Sequence, residues 1–242
     1  MRLDVFLYEN GYVDSRTEAK KFISSGFVKI NGVVITRPAY DIDSSEAIAV
    51  DKSEKKYVSR GGIKLEAALD EFSISVGGRI ALDVGASSGG FTDCLLTRGA
   101  TTVISVDSGS GQLVESLRND SRVIVYENFN ARYMSPSDLP FVPQIVVMDV
   151  SFISATYIIP AVFECISDVG DFVCLIKPQF EVGRSGLGKG GIVRNDAIRK
   201  SAVDKVVSFA ESVGFKTKGI IVSPIEGGDG NIEYLAYFKK EL

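Results

Sequence analysis

Apolar runs of four or five residues recur along the chain and are separated by polar, glycine-bearing breaks. Arg79-Ile80-Ala81-Leu82, Val103-Ile104-Ser105-Val106, Ile145-Val146-Val147-Met148 and Phe172-Val173-Cys174-Leu175-Ile176 are near-continuous in hydrophobicity, as expected of strands buried on both faces. The pattern predicts strands at 79–83, 102–106, 122–126, 144–149, 171–176, 217–222 and 233–238. Between them, apolar residues at helical spacing predict helices over 62–72, 89–98, 109–118, 154–167 and 196–213. Strands alternating with helices indicate a doubly wound, mostly parallel α/β sheet. The last two strands have only the turn Gly227-Gly228-Asp229-Gly230 near their junction, so they form a hairpin that adds one antiparallel strand.

Residues 1–52 read as a separate small α+β unit. Ser15-Arg16-Thr17-Glu18 is a capping box ahead of a helix that carries Ala19, Phe22 and Ile23 and stops at Gly26. Phe27-Val28-Lys29-Ile30, the turn Asn31-Gly32 and Val33-Val34-Ile35 form a hairpin, and Ala47-Ile48-Ala49-Val50 adds a strand. A polar linker follows, giving a division into 1–52, a linker at 53–61 and a larger domain at 62–242.

The stretch Asp83-Val84-Gly85-Ala86-Ser87-Ser88-Gly89-Gly90-Phe91-Thr92-Asp93 joins the first strand of the larger domain to a helix N-terminus. A glycine-rich turn there lets a cofactor approach the backbone. Asp107, at the end of the next strand, is placed to accept hydrogen bonds from a ribose. A dinucleotide fold would show G-x-G-x-x-G, whereas this chain offers Gly85-x-x-x-Gly89-Gly90. Asp93 in the first helical turn would repel a pyrophosphate, and an acid before the glycines suits a cationic amino-acid cofactor. S-adenosylmethionine has that chemistry; a dinucleotide or a purely structural turn are the alternatives.

Composition narrows the chemistry. Net charge is −4, so any polynucleotide contact has to be local. The three cysteines, Cys94, Cys165 and Cys174, are widely spaced in apolar surroundings, as for buried thiols in a reducing, cytoplasmic setting. There is no histidine, which removes the commonest metal ligand and the commonest general base together; no metal is expected. Proton transfer falls to Lys, Asp, Glu or Tyr. No apolar run reaches the length of a membrane span and no cleavable signal is evident, so no membrane association is expected.

Four charged residues fall where an α/β active site belongs. Asp149 and Lys177 end strands, Glu233 opens the last strand, and Lys64 opens the helix before the glycine turn. Singly, each has an ordinary reading: a turn former, a snorkelling lysine, a solvated edge charge and a first-turn lysine. Together they fit methyl transfer to a hydroxyl, in which a lysine of lowered pKa removes the proton and carboxylates align the group. The following loop carries Arg184, Lys189 and Arg194 among glycines, a plausible phosphate-contacting lid for a polynucleotide.

These motifs resemble a known family. The glycine turn, Asp149-Val150-Ser151-Phe152-Ile153-Ser154, Lys177-Pro178-Gln179-Phe180-Glu181, Gly188-Lys189-Gly190-Gly191 and Ser59-Arg60-Gly61-Gly62-x-Lys64-Leu65 are similar to the hemolysin-labelled TlyA proteins. Those in turn resemble FtsJ-type ribosomal RNA 2′-O-ribose methyltransferases. The resemblance implies a seven-stranded methyltransferase domain and an N-terminal RNA-binding domain like that of ribosomal protein S-four. The latter is matched by Arg2-Leu3-Asp4, Ser15-Arg16-x-x-Ala19 and Gly26-x-Val28-x-Ile30-Asn31-Gly32. It implies a catalytic tetrad of Lys64, Asp149, Lys177 and Glu233, with Lys177 as base. S-adenosyl-L-methionine is implied as donor, against Asp83, Gly85, Ser87, Gly89, Gly90, Phe91 and Asp107. RNA is implied to meet Arg16, Lys20, Lys21, Lys29 and Arg60, besides Arg184, Lys189 and Arg194. The implied acceptor is a cytidine ribose in ribosomal RNA or in ribosomal subunits, and the short termini resemble members restricted to large-subunit RNA.

Two positions depart from the family pattern: Ser110 stands where a bulkier residue is common, and Glu226-Gly227-Gly228-Asp229-Gly230-Asn231 replaces a segment that more often has proline. Two other functions compete, a non-catalytic RNA-binding assembly factor and a pore-forming hemolysin.

Overall fold

A computed structural model describes residues 1–13, 15–43, 45–50, 56–183 and 186–241. Arg184 lies outside the described residues, as does most of the linker ahead of residue 56. The N-terminal unit holds helices α1 (Leu3–Glu9) and α2 (Arg16–Ser24) and strands β1 (Val28–Ile30), β2 (Val33–Val34) and β3 (Ile48–Val50) in the order β2-β1-β3. Ser15 caps α2 by accepting the Glu18 N–H at 3.1 Å. Leu3, Leu7, Ala19, Ile23 and Val28 are fully buried in a small core of this unit's own.

Helix α1 is not anticipated by the sequence pattern. Asp4 and Glu9 look like interruptions, yet Asp4 is fully buried because Arg2 and Arg16 both ion-pair with it, at 2.9 and 3.2 Å. Those hydrogen bonds and charges hold the Asp4 carboxyl below its usual range against the cost of burial.

The larger domain is a seven-stranded sheet of β4 (Ile80–Val84), β5 (Thr102–Val106), β6 (Val123–Tyr126), β7 (Ile145–Met148), β8 (Val169–Ile176), β9 (Lys216–Val222) and β10 (Tyr234–Glu241). The order is β6-β5-β4-β7-β8-β10-β9. The strands run parallel from β6 to β8, and β10 is antiparallel to both of its neighbours, as the hairpin reading expects. Alternate side chains of the central strands serve two cores. Leu82, Val146, Met148 and Phe172 face α6 (Ile159–Cys165) and α8 (Asp196–Val213). Ala81, Ile145, Val147 and Val173 face α3 (Gly61–Glu71), α4 (Gly90–Thr97) and α5 (Glu115–Arg118).

Two helices are shorter than the periodicity predicts. Of 109–118 only α5 is helical, because the Asp107 carboxylate takes the Gly109 N–H at 2.7 Å and Gly111 adopts φ +65°. Over 154–167 a 3-10 turn at Ala155–Tyr157 precedes α6, whose start is fixed by Pro160 near its first turn. A short helix α7 (Pro178–Glu181) directly follows Lys177.

Phe172 is fully buried and meets Phe215 and Phe238 at ring separations of 5.1 and 5.6 Å. Truncation to Ala is expected to cost about 3–5 kcal/mol. Denaturant unfolding of Phe172→Ala checks this, with the loss read as a lower midpoint at unchanged slope.

Candidate active site

The glycine turn is forced by the backbone beneath it. The Gly85 and Ala86 N–H groups donate to the Val106 carbonyl, at 2.8 and 3.1 Å. Asp149 donates its N–H to the Val84 carbonyl, which carries β7 directly alongside the turn. Gly85 has φ +87°, and a Cβ there would lie 2.3 Å from the Asp149 carbonyl oxygen, so no other residue fits without moving backbone. Gly89 caps α4 at φ +98°, and a Cβ there would strike Leu117.

Two adjoining cavities open over this turn. The larger, about 430 Å³, has an apolar floor that includes Val84, Val106, Phe129, Ile153 and Ile158, with Asp107, Asn130 and Asp149 as polar groups. The smaller, about 110 Å³, runs past Gly85, Ser87 and Asp149 to Ser59, Gly61, Lys64, Ser88, Gly90 and Phe91. Asp107 ties the turn by accepting the Ser87 N–H at 2.8 Å.

No Lys or Arg lines the larger cavity, and two carboxylates do. That surface disfavours a pyrophosphate and fits a phosphate-free nucleoside with a cationic arm extending into the smaller cavity. Gly85, Ser87, Gly90, Phe91 and Asp107 therefore line the cavities as the sequence suggests. Asp83 and Gly89 line neither and act from behind. Asp83 is fully buried, accepts the Thr92 hydroxyl at 2.7 Å, and has its other oxygen unpartnered. Burial, then the charge of Asp149, pushes its carboxyl up to about 7 despite the Thr92 hydrogen bond. Ser110 lines neither cavity, so its small size leaves the nucleoside site unchanged.

The four charged candidates converge at one edge of these cavities. In the β10–β8 ladder Tyr234 faces Ile176, which brings Glu233 and Lys177 together one residue further on. Lys64 reaches Glu233 at 2.5 Å, and Lys177 reaches Asp149 at 2.6 Å. The side chains of Lys64 and Glu233 are only 10% and 3% exposed, and that of Lys177 12%. Lys177 also donates to the Ser151 hydroxyl at 2.7 Å.

The expected lowering of the Lys177 pKa is not what the structure gives. Burial lowers it, but Asp149 and Glu233 outweigh burial and hold the ammonium above its ordinary value. A second lysine in the site would be expected to lower the Lys177 pKa by repulsion, but Lys64 is paired with Glu233.

Of the basic residues assigned to RNA, Arg16, Lys20, Lys21, Lys29, Lys189 and Arg194 are exposed. Arg60 is only partly exposed: it donates to the Glu226 carbonyl at 2.6 Å and packs beneath Gly26. Sequence reasoning does not single out Ser151, nor Phe129 and Asn130 on the nucleoside side. Asn130 follows the third strand of the sheet, and a polar residue after that strand is the available signal. Phe152 is also unanticipated; it has φ +64°, is 92% exposed, and leans on Phe180 at 5.2 Å.

Comparison with known proteins agrees with this geometry. Residues 57–240 match the FtsJ-like methyltransferase family and residues 1–48 the S4 domain. The chain belongs to the FtsJ-like methyltransferase family. Among its relatives, Hemolysin A of Brachyspira hyodysenteriae is 46% identical, over 98% of this chain and 99% of that protein. The 16S/23S rRNA (cytidine-2′-O)-methyltransferase TlyA of Mycobacterium tuberculosis is 42% identical, over 99% of this chain and 90% of its own length. A solved structure described as a hemolysin from Streptococcus thermophilus is 43% identical, with a TM-score of 0.79 over 100% of this chain and 88% of that one. Among the described residues, no helix is long and apolar enough to cross a membrane.

The buried Asp83 of this FtsJ-like domain has a measurable consequence. Its folded pKa is raised, so between about pH 4 and pH 7 the folded state holds a proton that the unfolded state has lost. Its contribution to stability therefore falls as pH rises through that window. Asp83→Asn removes the titration. Its stability relative to wild type is expected to improve steadily over the same range, in thermal unfolding without cofactor. A constant difference at all pH values would refute the raised pKa.

Proposed function

We propose that this protein transfers a methyl group from S-adenosyl-L-methionine to the 2′-hydroxyl of a cytidine ribose in ribosomal RNA, with large-subunit RNA the first substrate to test. The observation that carries the reading is the meeting of two lysine–carboxylate pairs at the edge of a phosphate-free cofactor cleft. A cofactor cleft alone would serve any methyl acceptor, whereas a lysine with aligning carboxylates suits a hydroxyl, which is inert until deprotonated. The relative named as an rRNA (cytidine-2′-O)-methyltransferase supports the acceptor. The match of residues 1–48 to an S4 domain supports an RNA partner. A division of labour follows, with residues 1–52 supplying RNA affinity and residues 62–242 the chemistry.

In this reading Asp107 receives the ribose hydroxyls of the cofactor, while Gly85, Ser87 and Gly90 leave room for its amino-acid arm. S-adenosylmethionine, when bound, supplies the electrophilic methyl group and a positive charge that opposes protonation of a neighbouring lysine. Lys177 first gives its own proton to solvent and then takes the 2′-hydroxyl proton onto the neutral Nζ. Asp149 and Ser151 fix the direction of that nitrogen, and the Lys64–Glu233 pair keeps the far side of the site rigid and desolvated. Phe152 offers an exposed aromatic face on which a nucleobase can stack. Exposed Arg16, Lys20, Lys21, Lys29, Lys189 and Arg194 provide phosphate contacts, which position RNA without reading its sequence.

The cofactor assignment predicts that Asp107→Ala weakens S-adenosylmethionine binding by roughly 10–150-fold, the loss of about 1.5–3 kcal/mol from a charged acceptor. Calorimetry decides it, and unchanged affinity rejects the site.

The reaction is tested by incubating the protein with labelled S-adenosylmethionine and separated ribosomal subunits and mapping the methylated ribose. Lys177→Ala is expected to slow single-turnover transfer by about 100–10,000-fold with cofactor affinity retained. Lys177→Arg fails as well, because guanidinium does not deprotonate in this range. Since the resting Lys177 is held protonated, the wild-type rate should climb with pH from neutral into the alkaline range. Wild-type rates in both variants would leave an enzyme without a lysine base, whereas no transfer by the wild type would leave an RNA-binding factor.

A further inference from the structure

Glu181 is a buried carboxylate that the mechanism above does not use. Its side chain is 2% exposed, at the end of α7, four residues after Lys177. One oxygen accepts the Ala155 N–H at 2.7 Å and the other the Ser154 hydroxyl at 2.5 Å. Lys205 of α8 approaches at 3.5 Å but also donates to the Glu181 carbonyl at 2.9 Å, and its side chain is half exposed. The carboxylate is thus bound mainly to the segment after β7 rather than to its ion partner.

That segment, Asp149 to Ala155, carries both partners of Lys177. Three residues of Lys177–Glu181 stitch it in place in order. Lys177 meets Asp149 and Ser151, Phe180 meets Phe152, and Glu181 meets Ser154 and Ala155. The segment needs the last stitch, because Phe152 sits at a positive φ that an aromatic residue adopts only under constraint. Burying a carboxylate is costly, and an apolar residue would fill the space more cheaply. What the carboxylate supplies instead is two hydrogen bonds at a fixed place.

We propose that Glu181 is a positioning residue that pins the Asp149–Ala155 segment to α7 and so holds Asp149 and Ser151 against Lys177 and Phe152 toward the acceptor. This rests on the assignment of Lys177 as base. Glu181→Gln keeps an acceptor for Ala155 and a hydrogen-bonding partner for Ser154, whereas Glu181→Ala loses both. Ser154→Ala removes one stitch with little risk to folding.

The test measures amide exchange by mass spectrometry in the cofactor-free protein, and single-turnover methylation at saturating RNA and cofactor. Glu181→Ala is expected to speed exchange across residues 149–157 and lower the saturated rate about 10–100-fold. Glu181→Gln is expected to restore both to within about threefold, and Ser154→Ala, which also loses its cap on the Thr156 N–H, to lower the rate about 3–10-fold in a protein that still folds. Unaltered exchange in Glu181→Ala overturns the proposal, as does faster exchange with a wild-type rate, or a Gln variant as impaired as the Ala variant. If Glu181→Ala does not fold, a wild-type rate and exchange pattern in Ser154→Ala overturns it. A wild-type protein that methylates no ribosomal RNA defeats the functional reading instead; the exchange data then still decide whether Glu181 pins the segment.

Discussion

Lys64 and Lys177 have both lost most of their water, and beside each stands a carboxylate from a different element. A buried ammonium without a partner would cost several kcal/mol or give up its proton. The requirement fixes more than two side chains. Lys64 comes from α3, Asp149 from the end of β7, Lys177 from the end of β8 and Glu233 from the start of β10, so the pairs oblige four elements to meet at one point. The ladder between β8 and β10 supplies that point by register alone. Removing either carboxylate would strand a buried charge, so the residues proposed to do the chemistry are also residues the local fold depends on.

The cofactor cleft hangs on the same place. Asp149 belongs to an ion pair through its side chain, to the β4–β7 pairing through its N–H, and to the glycine turn through the carbonyl that leaves Gly85 no room for a Cβ. It lines both cavities. A shift of this one residue would therefore change both cavities and the surroundings of Lys177 together. That coupling explains why a parallel sheet suits the reaction, since loops at the carboxyl ends of adjacent strands are brought side by side without long connections.

Much of this was legible in the sequence, for a physical reason. Strands buried on both faces must be apolar almost throughout, so 80–84, 145–148 and 172–176 announce themselves, and a charge at the end of such a run has only the strand end to occupy. The placement of Asp149 and Lys177 was legible for that reason. Helix α1 was not, because Asp4 reads as polar until Arg2 and Arg16 are seen to neutralise it. The shortened α5 was not, because the Asp107 carboxylate takes the Gly109 N–H in a local turn and the Gly109 carbonyl accepts the distant Asn128 N–H, neither of which periodicity records. The protonation of Lys177 was misjudged for a related reason. Sequence places two lysines in one site and suggests repulsion, while the structure sorts them into separate pairs, each with its own carboxylate.

The same sorting separates the basic residues. A chain of net charge −4 can hold RNA only through local clusters, and Lys20, Lys21 and Lys29 present theirs on one small domain. Arg16 stands beside them, aimed by the buried Asp4 and so oriented before any phosphate arrives. Arg60 differs from these. Burial lowers its pKa, its guanidinium donates to the Glu226 carbonyl, and its stem fills the space under Gly26 of the N-terminal domain. Glu226 begins the loop that leads to Glu233. Arg60 thus stands at the joint between the RNA-facing domain and the loop that delivers one tetrad carboxylate. A side chain so enclosed has fewer N–H groups left for a phosphate than an exposed lysine has, and its geometry favours holding the two domains in register over adding to the cationic surface.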